Sequence, residues 1–150
     1  MSDPVRPLIE VENLKTWFPI RTGVFSRVTS NVKAVDGVSF QLGRKETLGL
    51  VGESGCGKTT VGRSILKLVN PTEGSVRFDG QDVLASEGDA LRKLRKRMQI
   101  IFQDPYGSLN PRMTVGSILS EGPRIHKMGS ETEIRQKTEH LMERCGLDAI

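Results

Sequence analysis

The chain has 150 residues, of which 36% are hydrophobic and 27% are charged, and its formal net charge is +4 at pH 7. These values predict one soluble domain with a real core, and no run approaches the roughly 18–20 apolar residues that a transmembrane helix needs. The two cysteines, Cys56 and Cys145, lack the partner spacing of a zinc site or a disulfide framework.

Residues 1–7 lack the apolar run of a signal peptide, which predicts a cytoplasmic chain.

Strands are predicted along the first third of the chain. Residues 8–14 alternate imperfectly and predict an opening strand, and the polar residues 20–32 predict a loop or hairpin excursion. Residues 33–42 predict a strand with a turn or bulge at Asp36 and Gly37. Residues 47–51 predict a buried strand.

A phosphate-binding loop follows that strand. It matches the pattern G-x-x-x-x-G-K-[ST] with the residues Gly52, Glu53, Ser54, Gly55, Cys56, Gly57, Lys58 and Thr59. Glycines let backbone N–H groups point at an anion, and the helix predicted over 60–69 directs its positive end to the same place. Lys58 reaches the β- and γ-phosphates, and Thr59 offers a hydroxyl to Mg²⁺. This strand, loop and helix predict a site for a nucleoside triphosphate.

Cys56 has two interpretations. It is a small filler between two glycines, or a reactive thiol near Lys58 that ATP would protect from alkylation. The filler interpretation is favoured.

The middle of the chain predicts short elements. Residues 70–74 predict a turn, and 75–80 a short strand that ends at a glycine turn. Residues 91–97 predict an amphipathic helix with a solvated basic face, the alternative being contact with nucleic acid or with lipid headgroups. Residues 98–102 are apolar enough for a central strand, whereas 103–112 contain two prolines and a glycine and predict irregular structure.

Helices dominate the last third. Residues 114–125 predict a helix, with a break at Gly122 and Pro123 left open. Ser130 and Glu133 form a capping box that predicts a second helix to Cys145, and Gly146 predicts its end.

Together these segments resemble the nucleotide-binding subunit of ATP-binding cassette (ABC) transporters, in particular the dipeptide and oligopeptide importer group. The phosphate loop through Thr60 carries the resemblance to the Walker A motif. Gln103 stands where the family places its Q-loop glutamine, and residues 104–112 closely match the form seen in peptide importers. Residues 33–40 and 73–80 also look like family segments.

The resemblance implies an α/β fold: a P-loop NTPase cassette core with an N-terminal antiparallel β-subdomain and the start of a helical subdomain. Residues 1–112 would belong to the core and 113–150 to the helical subdomain. The implied nucleotide ligands are Gly52, Glu53, Ser54, Gly55, Cys56, Gly57, Lys58, Thr59 and Thr60, with Phe18 stacking on adenine. Trp17 is the alternative to Phe18. Thr59 and Gln103 would contact Mg²⁺, and Gln103 would also sense the γ-phosphate.

The implied function is ATP binding that energises peptide import. Its partners would be permease subunits and a second ATP-binding subunit, at the cytoplasmic face of the membrane, with no nucleic acid. The family's signature segment, Walker B aspartate, catalytic glutamate and switch histidine do not occur in these 150 residues. We therefore expect a chain truncated before the signature motif, which binds ATP with little or no turnover.

Two alternatives remain open at this point. One is a small stand-alone P-loop NTPase or kinase with Asp104 as its metal ligand. The other is a cassette ATPase associated with nucleic acid, in which basic residues between 92 and 97 contact phosphates.

Overall fold

The computed structural model describes residues 6–23, 26–104 and 107–147, and the chain forms two compact units, residues 1–95 and 96–150. The strands are β1 (Ile9–Thr22), β2 (Arg27–Leu42), β3 (Glu73–Phe78) and β4 (Gln81–Asp82). The helices are α1 (Lys58–Ile65), α2 (Gly88–Arg97), α3 (Val115–Ile125) and α4 (Glu131–Arg144). No helix within the described residues is long and apolar enough to cross a membrane.

The four strands form one antiparallel sheet in the order β2-β1-β3-β4. β1 and β2 are a long hairpin, in which Ile9 lies opposite Leu42 and Thr22 opposite Arg27. The strands predicted over 8–14 and 33–42 are confirmed, and the excursion predicted over 20–32 is the hairpin's distal end.

A bulge lies where the sequence predicted a turn or bulge. Val38 lies opposite Leu14 and Asp36 opposite Lys15, so Gly37 is the extra residue on β2. Its φ of +86° is in the left-handed region, which glycine adopts without strain. The prediction for Asp36 and Gly37 is therefore confirmed in its bulge form.

The first unit has its core between the sheet and α1. Val61 and Ser64 form the buried face of α1. The other buried apolar residues of this unit come from the sheet, the connections and α2, and they are Val11, Leu14, Val35, Leu66, Val76, Phe78, Val83 and Leu94. The buried position of Leu94 confirms that α2 is amphipathic.

The helix predicted over 60–69 is shorter than expected. α1 ends at Ile65, and Lys67 adopts a left-handed φ of +50°. The Arg95 guanidinium donates to the carbonyl oxygens of Leu66 and Lys67 at 3.0 and 2.6 Å. These bonds satisfy carbonyls at the helix end and stabilise the stop.

The strands predicted over 47–51 and 98–102 are wrong. Neither segment pairs with a strand among the residues that the structure describes. Val51 is 98% exposed and Ile101 is 93% exposed. Apolar content gives a segment the capacity to be a central strand, but a strand also needs hydrogen-bonded neighbours.

The second unit contains α3 and α4. The Thr114 hydroxyl accepts from the Ser117 N–H at 3.2 Å and caps α3, which continues through Pro123 without the break left open by the sequence. α4 has the predicted capping box, and its buried face contains Ile134 and Thr138. The helix stops before Gly146, whose φ is +72°.

Candidate functional site

The loop over residues 52–57 curls in front of α1. Gly55 and Gly57 have φ values of +83° and +99°, and the Cys56 N–H donates to the Glu53 carbonyl at 3.3 Å. Gly57 is the N-cap of α1, and because it lacks a side chain it forms no side-chain hydrogen bond to the first turn. The first backbone N–H groups of α1 therefore have no side-chain acceptor at the cap.

Gly57 also fixes the loop against the hairpin. A Cβ atom at this position would lie 2.1 Å from the Ala34 carbonyl oxygen on β2. That separation is far below van der Waals contact, so only glycine fits here. The N-terminus of α1 is thus held against β2 by a backbone contact.

The start of α1 is electrostatically suited to an anion. Its first turn contains no acidic residue, so the positive end of the helix dipole is not neutralised there. The Lys58 ammonium donates to the carbonyl oxygens of Gly52 and Glu53 at 2.7 and 2.6 Å. These partners are neutral and do not cancel the charge of Lys58.

Most of the remaining loop residues are exposed to solvent. Glu53, Ser54, Cys56 and Thr59 are exposed, and Thr60 is half-buried. The Thr59 hydroxyl on the first turn of α1 is a hard oxygen ligand of the kind that Mg²⁺ prefers. The residues present therefore fit a phosphate group with its magnesium ion.

Cys56 packs within the loop. The Lys58 ammonium lies 3.4 Å from the Cys56 Sγ, and a Cβ on Gly52 would lie 2.6 Å from the same sulfur. The thiol therefore occupies the space that the missing side chain of Gly52 leaves, which agrees with the filler interpretation.

Phe18 and Trp17 lie on opposite faces of the hairpin because successive strand residues alternate. Phe18 shares its face with Thr16, whose hydroxyl lies 2.9 Å from the Ser64 hydroxyl of α1. Phe18 lies opposite Val32 on β2 and is 41% exposed. An open aromatic ring therefore stands on the α1 side of the hairpin.

Trp17 is engaged on the other face. Its indole N–H donates to the Asp36 carboxylate at 3.0 Å, and the Lys33 ammonium lies 4.7 Å from the ring centroid. The hydrogen bond from Lys33 lowers the pKa of Asp36 below its ordinary value, and the Trp17 N–H acts in the same direction. The geometry favours Phe18 over Trp17 as the aromatic available to a base, and its stacking on adenine stays a prediction.

Gln103 belongs to the second unit and lies exposed in irregular backbone. Its contacts with Mg²⁺ and the γ-phosphate stay predictions. Two residues of the motif after it, Pro105 and Tyr106, lie outside the described residues. Asp104 closes a local turn, because its carboxylate accepts from the Gly107 N–H at 3.0 Å. The role of Asp104 as a metal ligand stays a prediction.

The contacts that join the hairpin to α1 were not predicted from the sequence. Thr16 and Ser64 are both buried, and the Ala34 carbonyl presses on Gly57. The available signal was weak: Ser64 follows Val61 by three positions, which places a polar residue on the apolar face of the helix.

Comparison with known proteins places these features in a family. The family model described as ABC transporter matches residues 35–150. The chain is 50% identical to the oligopeptide transport ATP-binding protein AppF of Bacillus subtilis, over 93% of the chain and 43% of AppF. It is 49% identical to the glutathione import ATP-binding protein GsiA of Pectobacterium atrosepticum, over 95% of the chain and 23% of GsiA. The dipeptide transport ATP-binding protein DppF of Haemophilus influenzae is 45% identical, over 95% of the chain and 43% of DppF. The chain thus spans less than half the length of these relatives.

Solved structures agree on the fold. A dimeric ATP-binding cassette in a post-hydrolysis state bound to ADP and Pi superposes with a TM-score of 0.72 at 24% identity, over 94% of the chain and 58% of that structure. The cbiO1 protein of Clostridium perfringens, part of an ABC transporter complex, gives a TM-score of 0.65 at 25% identity, over 94% of the chain and 51% of that structure. The predicted α/β cassette fold is confirmed.

Proposed function

The chain belongs to the ABC transporter family, and from this we propose that it is the ATP-binding portion of a subunit that energises peptide import. Support comes from AppF and DppF, whose names describe oligopeptide and dipeptide transport. The observation that carries nucleotide binding is the loop before α1. There a lysine whose hydrogen-bond partners are neutral stands at the start of a helix whose first turn contains no acidic residue.

We assign the phosphates to this loop and the start of α1. The backbone N–H groups of residues 52–60 would hold the phosphate oxygens, and Lys58 would exchange its carbonyl partners for the β- and γ-phosphates. Thr59 and Gln103 would contact Mg²⁺, and Phe18 would stack on the adenine. ATP with Mg²⁺ would supply the phosphoryl chemistry, while these residues bind and orient it.

The proposed partners follow from the same family. They are the permease subunits of a peptide importer and a second ATP-binding subunit, at the cytoplasmic face of the membrane. The dimeric solved cassette supports the second subunit. We further propose that residues 1–112 belong to the nucleotide-binding core, and that 113–150 begin the helical subdomain that docks on the permease.

The Lys58→Ala variant tests the nucleotide site. We expect the affinity for MgATP to fall by about 10- to 100-fold or more, since a charge-assisted bond to phosphate contributes roughly 1.5–3 kcal/mol. Isothermal titration calorimetry measures this change. Lys93→Ala, which removes an exposed lysine of α2, is the matched control and should bind as the unmodified chain does. Equal affinity in the unmodified chain and Lys58→Ala contradicts the site.

The importer proposal is tested against the nucleic-acid alternative by fractionation. We expect the chain to sediment with membranes only when a peptide permease is co-produced, and not to be retained on DNA at 50 mM salt. Arg95, within the basic stretch, already donates to Leu66 and Lys67, and Arg92 pairs with Asp89 at 3.2 Å. DNA retention that weakens steeply with salt would instead support phosphate contacts by this helix.

A further inference from the structure

A buried pair of hydroxyl groups joins β1 to α1. The Thr16 Oγ1 and Ser64 Oγ atoms lie 2.9 Å apart, and the two residues are 1% and 0% exposed. They are 48 positions apart in the sequence. Their neighbours on the same elements are apolar: Val35 lies opposite Thr16 on β2, and Val61 shares the buried face of α1 with Ser64.

Stability alone does not require hydroxyls at this place. Replacing both members of a buried hydrogen-bonded pair by apolar groups of the same shape is often close to neutral for the free energy of unfolding. A hydrogen bond adds direction, because it fixes the distance between two atoms and the rotation of the helix about its axis. The pair therefore sets where α1 sits on the hairpin.

The pair joins the two elements that would carry the ends of the proposed nucleotide site. On β1, Phe18 comes two residues after Thr16 and faces the same side. On α1, Lys58 precedes Ser64 by six residues, about 9 Å along the helix axis. α1 thus touches the hairpin at its N-terminus, where Gly57 meets Ala34, and again at Ser64. Two fixed points determine the orientation of the helix.

We propose that Thr16 and Ser64 are positioning residues that set the spacing between the base-binding strand and the phosphate-binding helix. The inference rests on the proposed nucleotide function and deepens it. A ligand that bridges two subsites gains affinity only while their spacing matches its length. ATP spans from Phe18 to Lys58, whereas inorganic tripolyphosphate reaches only the loop. Loss of the hydroxyl pair therefore weakens ATP and spares tripolyphosphate.

Calorimetric titrations of the 150-residue chain with the magnesium complexes of ATP and of tripolyphosphate test this inference. We expect Thr16→Val to lower the affinity for ATP by about three- to tenfold, the size of one neutral hydrogen bond, with less than a twofold change for tripolyphosphate. Thr16→Ser keeps a hydroxyl and should retain the ratio of the two affinities. Thr22→Val is the matched control, since it makes the same substitution at an exposed position of β1.

The double variant Thr16→Val/Ser64→Ala separates positioning from folding. It leaves no unpaired buried hydroxyl, so we expect its thermal midpoint to be close to that of the unmodified chain, while its preference for ATP stays reduced. The inference is overturned if the ratio of the ATP affinity to the tripolyphosphate affinity is unchanged in both Thr16→Val and the double variant. This holds whether both affinities stay the same or both fall by the same factor.

Binding by the unmodified chain separates a failure of the proposed nucleotide function from a failure of the role proposed for the hydroxyl pair. If it binds neither ATP nor tripolyphosphate, the nucleotide function itself is wrong, and the inference falls with it. If it binds both and the variants keep the ratio, the nucleotide function stands and only the role of the hydroxyl pair is wrong.

Discussion

The β1–β2 hairpin and the segment over residues 47–51 contain similar apolar residues in opposite environments. Val11 and Leu14 of β1 are fully buried, whereas Val51 is 98% exposed. β1 pairs with β2 on one side and β3 on the other, and the 47–51 segment has no strand partner in the part of the chain that the structure describes. An apolar pattern thus gives a segment the capacity to be a strand, while pairing decides whether it becomes one.

The difference follows from the distance between partners in sequence. β2 begins a few residues after β1 ends, so the hairpin closes with little loss of chain entropy. Helix caps and glycine loops involve residues that are even closer to one another in sequence. A central strand depends on neighbours far along the chain, and neither 47–51 nor 98–102 has them among the described residues.

The Leu14→Ala substitution in the paired strand β1 should show the largest effect. Leu14 is 0% exposed, so truncation leaves a cavity, and we expect the free energy of unfolding to fall by about 2–5 kcal/mol. Urea unfolding measures the change. Leu50→Ala, in the unpaired segment, is the matched control. Similar losses in both variants would mean that the two regions do not differ as described.

The Ser130→Ala substitution should have an intermediate effect, because the capping box of α4 needs partners only three residues away. The Ser130 hydroxyl accepts from the Glu133 N–H at 3.3 Å, and the Glu133 carboxylate accepts from the Ser130 N–H at 2.7 Å. We expect a loss of about 1 kcal/mol, measured by urea unfolding. Thr132→Ala, an exposed residue of the same turn, should cost less.

The effect of Ser130→Ala should also depend on pH. The backbone and hydroxyl hydrogen bonds from Ser130 lower the pKa of Glu133. Because the pKa of Glu133 is lower in the folded chain than in the unfolded chain, its carboxylate stabilises the fold at pH values above its unfolded pKa. This contribution is lost as pH falls through the folded pKa of Glu133. The deficit should therefore be full at pH 7 and smaller in acid. A deficit that grows on acidification would contradict the role of the Glu133 carboxylate.

The Val51→Ala substitution should have the smallest effect. A side chain that is 98% exposed loses almost no contact on truncation, so we expect a change within about 0.5 kcal/mol. Unfolding monitored by circular dichroism is sufficient to measure it. A loss above about 1 kcal/mol would show that the 47–51 segment is paired in solution.

Features determined by neighbours in sequence could be predicted, and features that join distant segments could not. The phosphate loop, the bulge at Gly37 and the capping box at Ser130 each depend on a few adjacent residues. The hydroxyl pair of Thr16 and Ser64 joins positions 48 apart.

The end of α1 shows the same limit. Arg95 stabilises it from 28 residues away, and the helical pattern over 60–69 carries no sign of that contact. The position at which α1 ends therefore depends on a hydrogen-bond donor from a distant segment, which reaches the carbonyl oxygens at the end of the helix.

The chain's single tryptophan also makes the hairpin visible to fluorescence. Trp17 lies on the face opposite Phe18, where Lys33 and Asp36 hold its indole. A base stacked on Phe18 would not touch this ring, so its emission reports the folding of the hairpin without direct quenching by ligand. Trp17 emission would therefore serve as a folding signal with which a separate measurement of binding can be compared.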